Sequence, residues 1–356
     1  MSGSPFISPG TGRRRRRAPW LRWAAAGAAL AAAVAAAVVL LGGGSSPARG
    51  HRPRTAARVA AHAPATGPRL SPDGLPLATP ALALRGIGDP AADAVSIHFH
   101  HPPRSGVLFD LDSGRVLWQR AAERQVPIAS LTKMMTALLA VRSIPPDGLV
   151  RVTRAAIATN GSKVGVLPLG RHIPVRTMLY GLLLPSGNDA AVALAQRAAG
   201  SVGRFVDRMN HEAARLGLGC TRFSSPSGYY DQGNFSCPAD LAVLAHADLE
   251  QPRIASVTRT YSAVLPFPIK GGKLYLYNNN PLLIYGYPGT TGLKTGYTEA
   301  SGRCLVATAE RDGVRLGVIV LDSDAPGTQA KQLLDRAFEH VYHLPRAAEQ
   351  PMPKGA

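Results

Sequence analysis

Ser130 and Lys133, in the run Ser130-Leu131-Thr132-Lys133, stand three residues apart. At the start of a helix that spacing puts both side chains on one face, about 5–6 Å apart at Cβ. A serine hydroxyl is a poor nucleophile until a base takes its proton, and a lysine is such a base only when neutral. Burial lowers a lysine pKa, and so does a nearby cation. Lys294-Thr295-Gly296 offers that cation. In it Lys294 brings charge and Thr295 a hydroxyl for the anionic end of a substrate. Gly296 is expected to omit a Cβ that would block a peptide lying along a strand. Between the two lies Ser186-Gly187-Asn188, in a loop entering a helix. Ser186 is placed to relay a proton between Lys133 and a leaving amine, while the Asn188 amide can donate to a substrate carbonyl and touch the lysine. Asp189 fits a structural contact with the first turn of its helix. The backbone N–H groups of Ser130 and Tyr297 are candidates for an oxyanion hole, aided by the positive end of the helix. Each motif alone is ordinary, a helix cap or a strand triplet. In this order they compose a serine acyl-transfer site in which lysine does the work of histidine.

Such a site needs elements that hold three distant segments together. Gly106 to Asp112, the turn Ser113-Gly114 and Arg115 to Trp118 read as a β-hairpin. A helix is expected from Ser130 to about Val141, with Met134, Leu138 and Leu139 as its buried stripe. Residues 176–184, 189–199, 202–216 and 239–249 show helical periodicity, with Gly200, Gly217 and Gly219 as stop signals. Strand patterns return at 259–264, 293–298, 303–310 and 315–321, the last two joined as a hairpin, and a helix over about 328–342 closes the domain. The pattern predicts an α+β fold: an antiparallel sheet flanked by helices, with a mainly helical subdomain inserted.

The remainder of the 356-residue chain reads differently. Its net charge of +18 owes much to Arg13–Arg17, Arg22, Arg49, Arg52, Arg54 and Arg58, all of which precede the first acidic residue, Asp73. No recognition helix, zinc-ligand spacing or alternation of aromatic and basic residues accompanies them, which argues against nucleic acid as a partner. Trp23 to Leu41 is a run of 19 residues without a charge. At ~1.5 Å per residue it spans ~28 Å, close to the hydrocarbon thickness of a bilayer. Preceded by five arginines and by Trp20, it is expected to be a signal anchor with a cytoplasmic N-terminus, a cleaved signal peptide being the alternative. The expected organisation is a basic tail (1–22), the apolar span (23–41), a flexible linker rich in Pro, Ala and Arg (42–103), a catalytic domain (104–343) and a short tail (344–356). His98, His100 and His101 lack acidic or Cys ligands at useful spacing, so no metal or cofactor is expected.

The sequence around the motifs extends a likeness. Pro127 to Ala137, Leu182 to Ala191, Phe205 to Asn210 and Thr291 to Gly296 are together similar to the low-molecular-mass penicillin-binding proteins that are D-alanyl-D-alanine carboxypeptidases. The resemblance covers about Arg104 to His343. It implies a β-lactamase/transpeptidase-like fold and a Ser130 acyl-enzyme that releases the terminal D-alanine from peptidoglycan stem peptides. It further implies covalent inhibition by β-lactams and Lys294 and Thr295 as holders of the substrate carboxylate. The arginines before the apolar span then place this domain on the outer side of a bacterial cell membrane, held by that span. The chain departs from the family where Ser236-Cys237-Pro238-Ala239-Asp240 lacks an arginine and where Asp322 to Thr328 lacks a basic residue. In an exported protein, Cys220 and Cys237 could close a loop of about 18 residues, with Cys304 a buried thiol, or all three could remain unpaired. A class A-type β-lactamase would need a water-activating carboxylate in a loop, whereas Glu212 and Glu250 lie in helical patterns. A non-catalytic wall-binding protein that kept the pocket would leave Ser130 unlabelled by a penicillin.

Overall fold

The computed structural model describes residues 69–346. The expected span over 23–41 and the tail over 1–22 lie outside them, and no helix among the described residues is long and apolar enough to cross a membrane.

Strands β1 (Ser105–Asp110) and β2 (Val116–Arg120) form the expected hairpin. Asp110 accepts hydrogen bonds from the Asp112 and Ser113 N–H groups at 3.0 and 2.7 Å and so folds the turn, as Asx side chains do. β3 (Val126–Pro127) leads through a 3-10 turn, Ala129–Thr132, into α1 (Lys133–Ser143). The helical middle runs through β4 (Leu149–Arg151), α2 (Arg154–Ile157), β5 (His172–Pro174), α3 (Val175–Leu183), α4 (Asn188–Ala199), α5 (Val202–Arg215), β6 (Phe235–Ser236), α6 (Pro238–Leu249) and α7 (Pro252–Thr258). A hairpin of β7 (Ser262–Pro266) and β8 (Lys273–Tyr277) follows, then α8 (Pro281–Ile284), β9 (Thr290–Thr298), β10 (Gly302–Arg311), β11 (Val314–Leu321) and α9 (Pro326–Arg336), which continues as a π-helical turn to Val341.

The five long strands make one antiparallel sheet in the order β2-β1-β11-β10-β9, with β9 at its edge. This sheet is covered on both faces. Val107, Phe109, Val306, Ile319 and Leu321 point into a core shared with the helices of the middle region. Leu108, Leu305, Ala307, Val318 and Val320 point the other way, onto Leu333, Leu334 and Phe338 at the C-terminal end. Such double burial explains why β1 and β11 read as nearly unbroken apolar runs instead of alternating. α1 is buried all round, from Lys133 to Val141, and not only along the stripe of Met134, Leu138 and Leu139. A helix apolar on every side is a central helix. Burying each of its leucines is worth ~1.5–3 kcal/mol, so α1 is firmly fixed and its first residue is a rigid platform.

Three sequence expectations are corrected. The α-helix expected from Ser130 begins at Lys133, and Ser130 itself sits on the 3-10 turn before it. The strand expected over 259–264 is displaced to Ser262–Pro266, because Pro252 at the first turn of α7 starts a helix that runs to Thr258. The linker expected over 42–103 is not free over its described part. Leu82 and Val95 are buried, the Leu77 N–H donates to the Arg69 carbonyl at 2.8 Å, and the Val95 N–H donates to the Leu117 carbonyl at 2.8 Å, extending the edge beside β2. Sparse apolar residues without periodicity give no strand or helix signal, yet Leu82 and Val95 are buried in the core.

Cys220 and Cys237 form a disulfide with their Cα atoms 5.7 Å apart. It ties the loop after α5 to the N-cap of α6. Cys304 is a buried free thiol, which burial pushes up to about 12.

Candidate active site

The nucleophile and its base come from one turn. In a 3-10 helix residues i and i+3 eclipse, and the Ala129–Thr132 turn brings Ser130 Oγ to 2.8 Å from Lys133 Nζ. Lys133 also donates to the Ser227 carbonyl at 2.8 Å. It is wholly buried, and its pKa is held well below 10.5, first by burial and then by the charge of Lys294, with Asp189 opposing. This is the electrostatic setting in which an amine serves as a base near neutrality.

The 226–234 loop seals this lysine from water. Thr136 donates to the Pro226 carbonyl at 2.7 Å, and the Asn234 amide donates to Thr132 Oγ1 at 2.9 Å. Gly228 sits where its backbone meets the nucleophile turn. With φ at +70°, a Cβ there would lie 1.9 Å from the Ala129 carbonyl oxygen and 2.4 Å from Thr132 Oγ1. Ser227 acts through its carbonyl, which any residue type would supply, so no side-chain pattern could have revealed it.

Ser186 enters from the loop between α3 and α4 in a left-handed conformation, φ +65°. Its Oγ is buried without a hydrogen-bond partner among the described residues, and it borders the same cleft as Ser130. Asn188 opens α4. Its side-chain amide donates to the Asn160 carbonyl at 2.5 Å, and its backbone N–H donates to the Ser162 carbonyl at 2.7 Å. One amide hydrogen expected for the substrate is therefore engaged in holding the 159–165 loop, and Oδ1 is buried without a partner. Asp189 accepts from the N–H groups of Val164, Gly165 and Ala190 at 2.9, 3.0 and 2.9 Å. It is structural, but its main work is to pin that loop beside the cleft, beyond the first-turn contact read from the sequence.

β9 forms the facing wall. Lys294 is buried, donates to the Thr295 carbonyl at 2.8 Å, and is lowered by burial to about 7. Gly296 also answers to a contact within the fold. A Cβ on it would stand 2.9 Å from the Ile128 carbonyl and 3.2 Å from the Ser130 N–H nitrogen. Its missing side chain thus lets β9 close on the nucleophile turn. Tyr297 follows, 65% exposed.

These parts border one cleft of about 400 Å³, lined by Ser130, Ser186, Thr295, Gly296 and Tyr297, with Ser162, Tyr285, Arg303 and Pro326 among the other walls. The residues lining it include no carboxylate. Glu212 pairs with Arg142 and Arg215, and Glu250 lies 3.9 Å from Arg315. Neither glutamate borders the cleft. The Cys220–Cys237 disulfide lies outside it as well, and since both thiols are spent, their closeness to Asp240 makes no metal site.

Comparison with known proteins finds likeness in both sequence and fold. The profile of the D-alanyl-D-alanine carboxypeptidase family matches residues 92–325. D-alanyl-D-alanine carboxypeptidase DacF of Bacillus subtilis is 35% identical over 246 residues, which cover 67% of this chain and 62% of DacF. DacB2 of Mycobacterium tuberculosis is 37% identical over 222 residues, 62% of this chain and 75% of its own. The chain thus spans about three fifths of DacF. Among solved structures, the Streptomyces K15 DD-transpeptidase superposes with a TM-score of 0.64 at 30% identity, covering 68% of this chain and 99% of that one. A penicillin-binding protein homologue from Mycobacterium tuberculosis superposes with a TM-score of 0.65 at 34% identity, over 73% of this chain and 98% of that one.

Proposed function

Because this chain belongs to the D-alanyl-D-alanine carboxypeptidase family, we propose that it is a serine D-Ala-D-Ala carboxypeptidase acting on peptidoglycan stem peptides and acylated at Ser130 by penicillins. The observation that carries this reading is the buried, pKa-lowered Lys133 amine 2.8 Å from Ser130 Oγ. Ser130 Oγ attacks the carbonyl carbon of the penultimate D-alanine as its proton passes to Lys133 Nζ. The N–H groups of Ser130 and Tyr297 receive the oxyanion, a role supported by the close approach of Gly296 to the Ser130 nitrogen. Collapse breaks the C–N bond, and the departing amine takes the proton back from Lys133 through the Ser186 hydroxyl. Water then cleaves the ester and restores Ser130. Asn188 orients the peptide with the amide hydrogen not held by Asn160, and Thr295 with Lys294 receives the anionic end. A β-lactam opens on the same serine and keeps its leaving group tethered, which obstructs the water.

The cleft walls hold no carboxylate that would activate water for fast β-lactam turnover, which favours a long-lived penicilloyl enzyme over a β-lactamase. Residues 23–41 are proposed as the span that keeps the domain on the outer side of a bacterial membrane. The test is mass spectrometry of a pentapeptide ending in D-Ala-D-Ala after incubation with the protein. Loss of one alanine residue, absent in a Ser130→Ala variant, is expected. An unchanged pentapeptide together with an unlabelled Ser130 in penicillin would instead favour a non-catalytic wall-binding protein.

A further inference from the structure

The face of the β7–β8 hairpin turned to solvent is aromatic and basic. Register pairs Ser262 with Tyr277, Val264 with Tyr275 and Pro266 with Lys273, and these side chains share that face, while Leu265, Leu274 and Leu276 are buried on the other. Tyr275 and Tyr277 are each 58% exposed, and Tyr261 stands edge-on to Tyr277 with ring centroids 6.5 Å apart. Lys270, in the turn, and Arg259, before the hairpin, are exposed as well. From Gln251 to Thr298 the sequence holds six of the ten tyrosines and no aspartate or glutamate. A contiguous exposed patch of this kind marks an interaction surface.

The chemistry of the face selects the partner. Val264 is its one branched aliphatic side chain, whereas a surface that enters hydrocarbon presents leucine, phenylalanine or tryptophan. A tyrosine ring offers a negative π face, on which the weakly positive C–H bonds of a sugar ring can lie, and a hydroxyl that stays in water. Tyr275 and Tyr277 stand about 6.8 Å apart along the strand, a spacing of the same order as that of sugar units in a polysaccharide. Lys270, Lys273 and Arg259 suit a strand whose attached peptides carry carboxylates.

The hairpin is also fixed beside the cleft. Asn279 and Pro281, just beyond β8, line it. The Asn278 N–H donates to the Tyr261 carbonyl at 2.8 Å, and the Asn279 N–H donates to the Leu184 carbonyl at 3.3 Å, two residues before Ser186. Tyr275 lies four residues from Asn279, at most about 14 Å of chain, and an extended five-residue peptide spans about 17 Å. A polymer lying on the tyrosines therefore has its peptides within reach of the cleft.

We infer that Tyr275 and Tyr277, flanked by Tyr261 and Lys273, bind the glycan strand of the wall and present its stem peptides to the cleft. The choice of polymer rests on the proposed action on wall peptides.

The experiment co-sediments the full chain, in detergent, with insoluble wall glycan from which an amidase has stripped the peptides. The wild-type protein should sediment, and a variant carrying Tyr275→Thr and Tyr277→Thr, which keeps strand-forming residues, should bind about 5- to 100-fold more weakly. D-alanine release from intact wall should fall with it, while cleavage of a soluble pentapeptide and penicillin labelling of Ser130 stay at wild-type rates. Tyr275→Trp keeps a stacking ring and should sediment like the wild-type protein. Failure of the wild-type protein to sediment, or equal sedimentation of the threonine variant, overturns the inference and leaves the proposed function intact. With the full chain reconstituted in vesicles of brominated phosphatidylcholine, fluorescence of Tyr275→Trp quenched beyond that of the wild-type protein would place the face on the bilayer and overturns it too. A wild-type protein that sediments with glycan yet neither cleaves the pentapeptide nor labels with penicillin refutes the proposed function and supports the binding face alone.

Discussion

Replacing Gly228 by alanine should break the site without touching a motif. The added Cβ would stand 1.9 Å from the Ala129 carbonyl oxygen, where ordinary contact begins near 3.4 Å, and 2.4 Å from Thr132 Oγ1. Both neighbours belong to the turn that carries Ser130, so neither yields cheaply. Relief requires the 226–234 loop to lift by about 1.5 Å. That movement takes the Lys133–Ser227 hydrogen bond from 2.8 Å past the limit of a bond and leaves a buried amine without its acceptor. The left-handed conformation, the overpacking and the orphaned amine together cost about 3–6 kcal/mol. For a domain of this size that lowers Tm by roughly 6–24 °C. Scanning calorimetry and the rate of fluorescent-penicillin labelling read the two consequences. Gly170→Ala is the control, since its φ of +78° is similar but nothing lies within 4 Å of the new Cβ. The reasoning fails if Gly228→Ala melts within about 2 °C of Gly170→Ala and labels at the wild-type rate.

Other perturbations test separate parts of the account. Acylation should rise with pH as Lys133 loses its proton, and the KM for carboxylate-bearing peptides should increase as Lys294 discharges near 7; a stopped-flow pH series checks both. Asp248 is buried with neither carboxylate oxygen hydrogen-bonded, and burial raises it well above 3.8. The unfolded chain gives up that proton first, so stability falls as pH rises above 3.8, and Asp248→Asn should gain at least ~2 °C in Tm at pH 8 relative to its effect at pH 4. Equal effects at the two pH values would contradict this. Reducing Cys220–Cys237, which are 17 apart in sequence, should lower unfolding stability by ~3 kcal/mol in a denaturant titration and leave Ser130 labelling in the folded protein intact.

Much of this could be read from the residues, and what could not has physical causes. The motifs were legible because each needs a particular side chain at a particular spacing, and β1, β10 and β11 because their cores impose long apolar runs. The hairpin of β7 and β8 was harder to see: Lys273-Leu-Tyr-Leu-Tyr277 alternates clearly, but it is parted from its partner by a loop holding Phe267, Pro268 and two glycines. Nothing local marks that pairing. Ser227 contributes a carbonyl, and backbone groups carry no sequence signature. At Gly296 only the folded chain shows the Ile128 and Ser130 backbone that a Cβ there would meet. Arg303 lies in no motif, and only the folded chain shows it bordering the cleft. The packing of residues 69–103 was missed because isolated apolar residues such as Leu82 and Val95 look like linker until the surfaces they cover are known.

The central claim is that neutral Lys133 takes the Ser130 proton during acylation. Intact-mass measurement of benzylpenicillin adduct formation, with the wild-type protein and a folded Lys133→Ala variant run side by side, tests it most directly. One adduct per chain, mapped to Ser130 and slowed by at least ~100-fold in the variant, is the predicted result. An adduct formed at the wild-type rate without Lys133, or mapped to another residue, would contradict it.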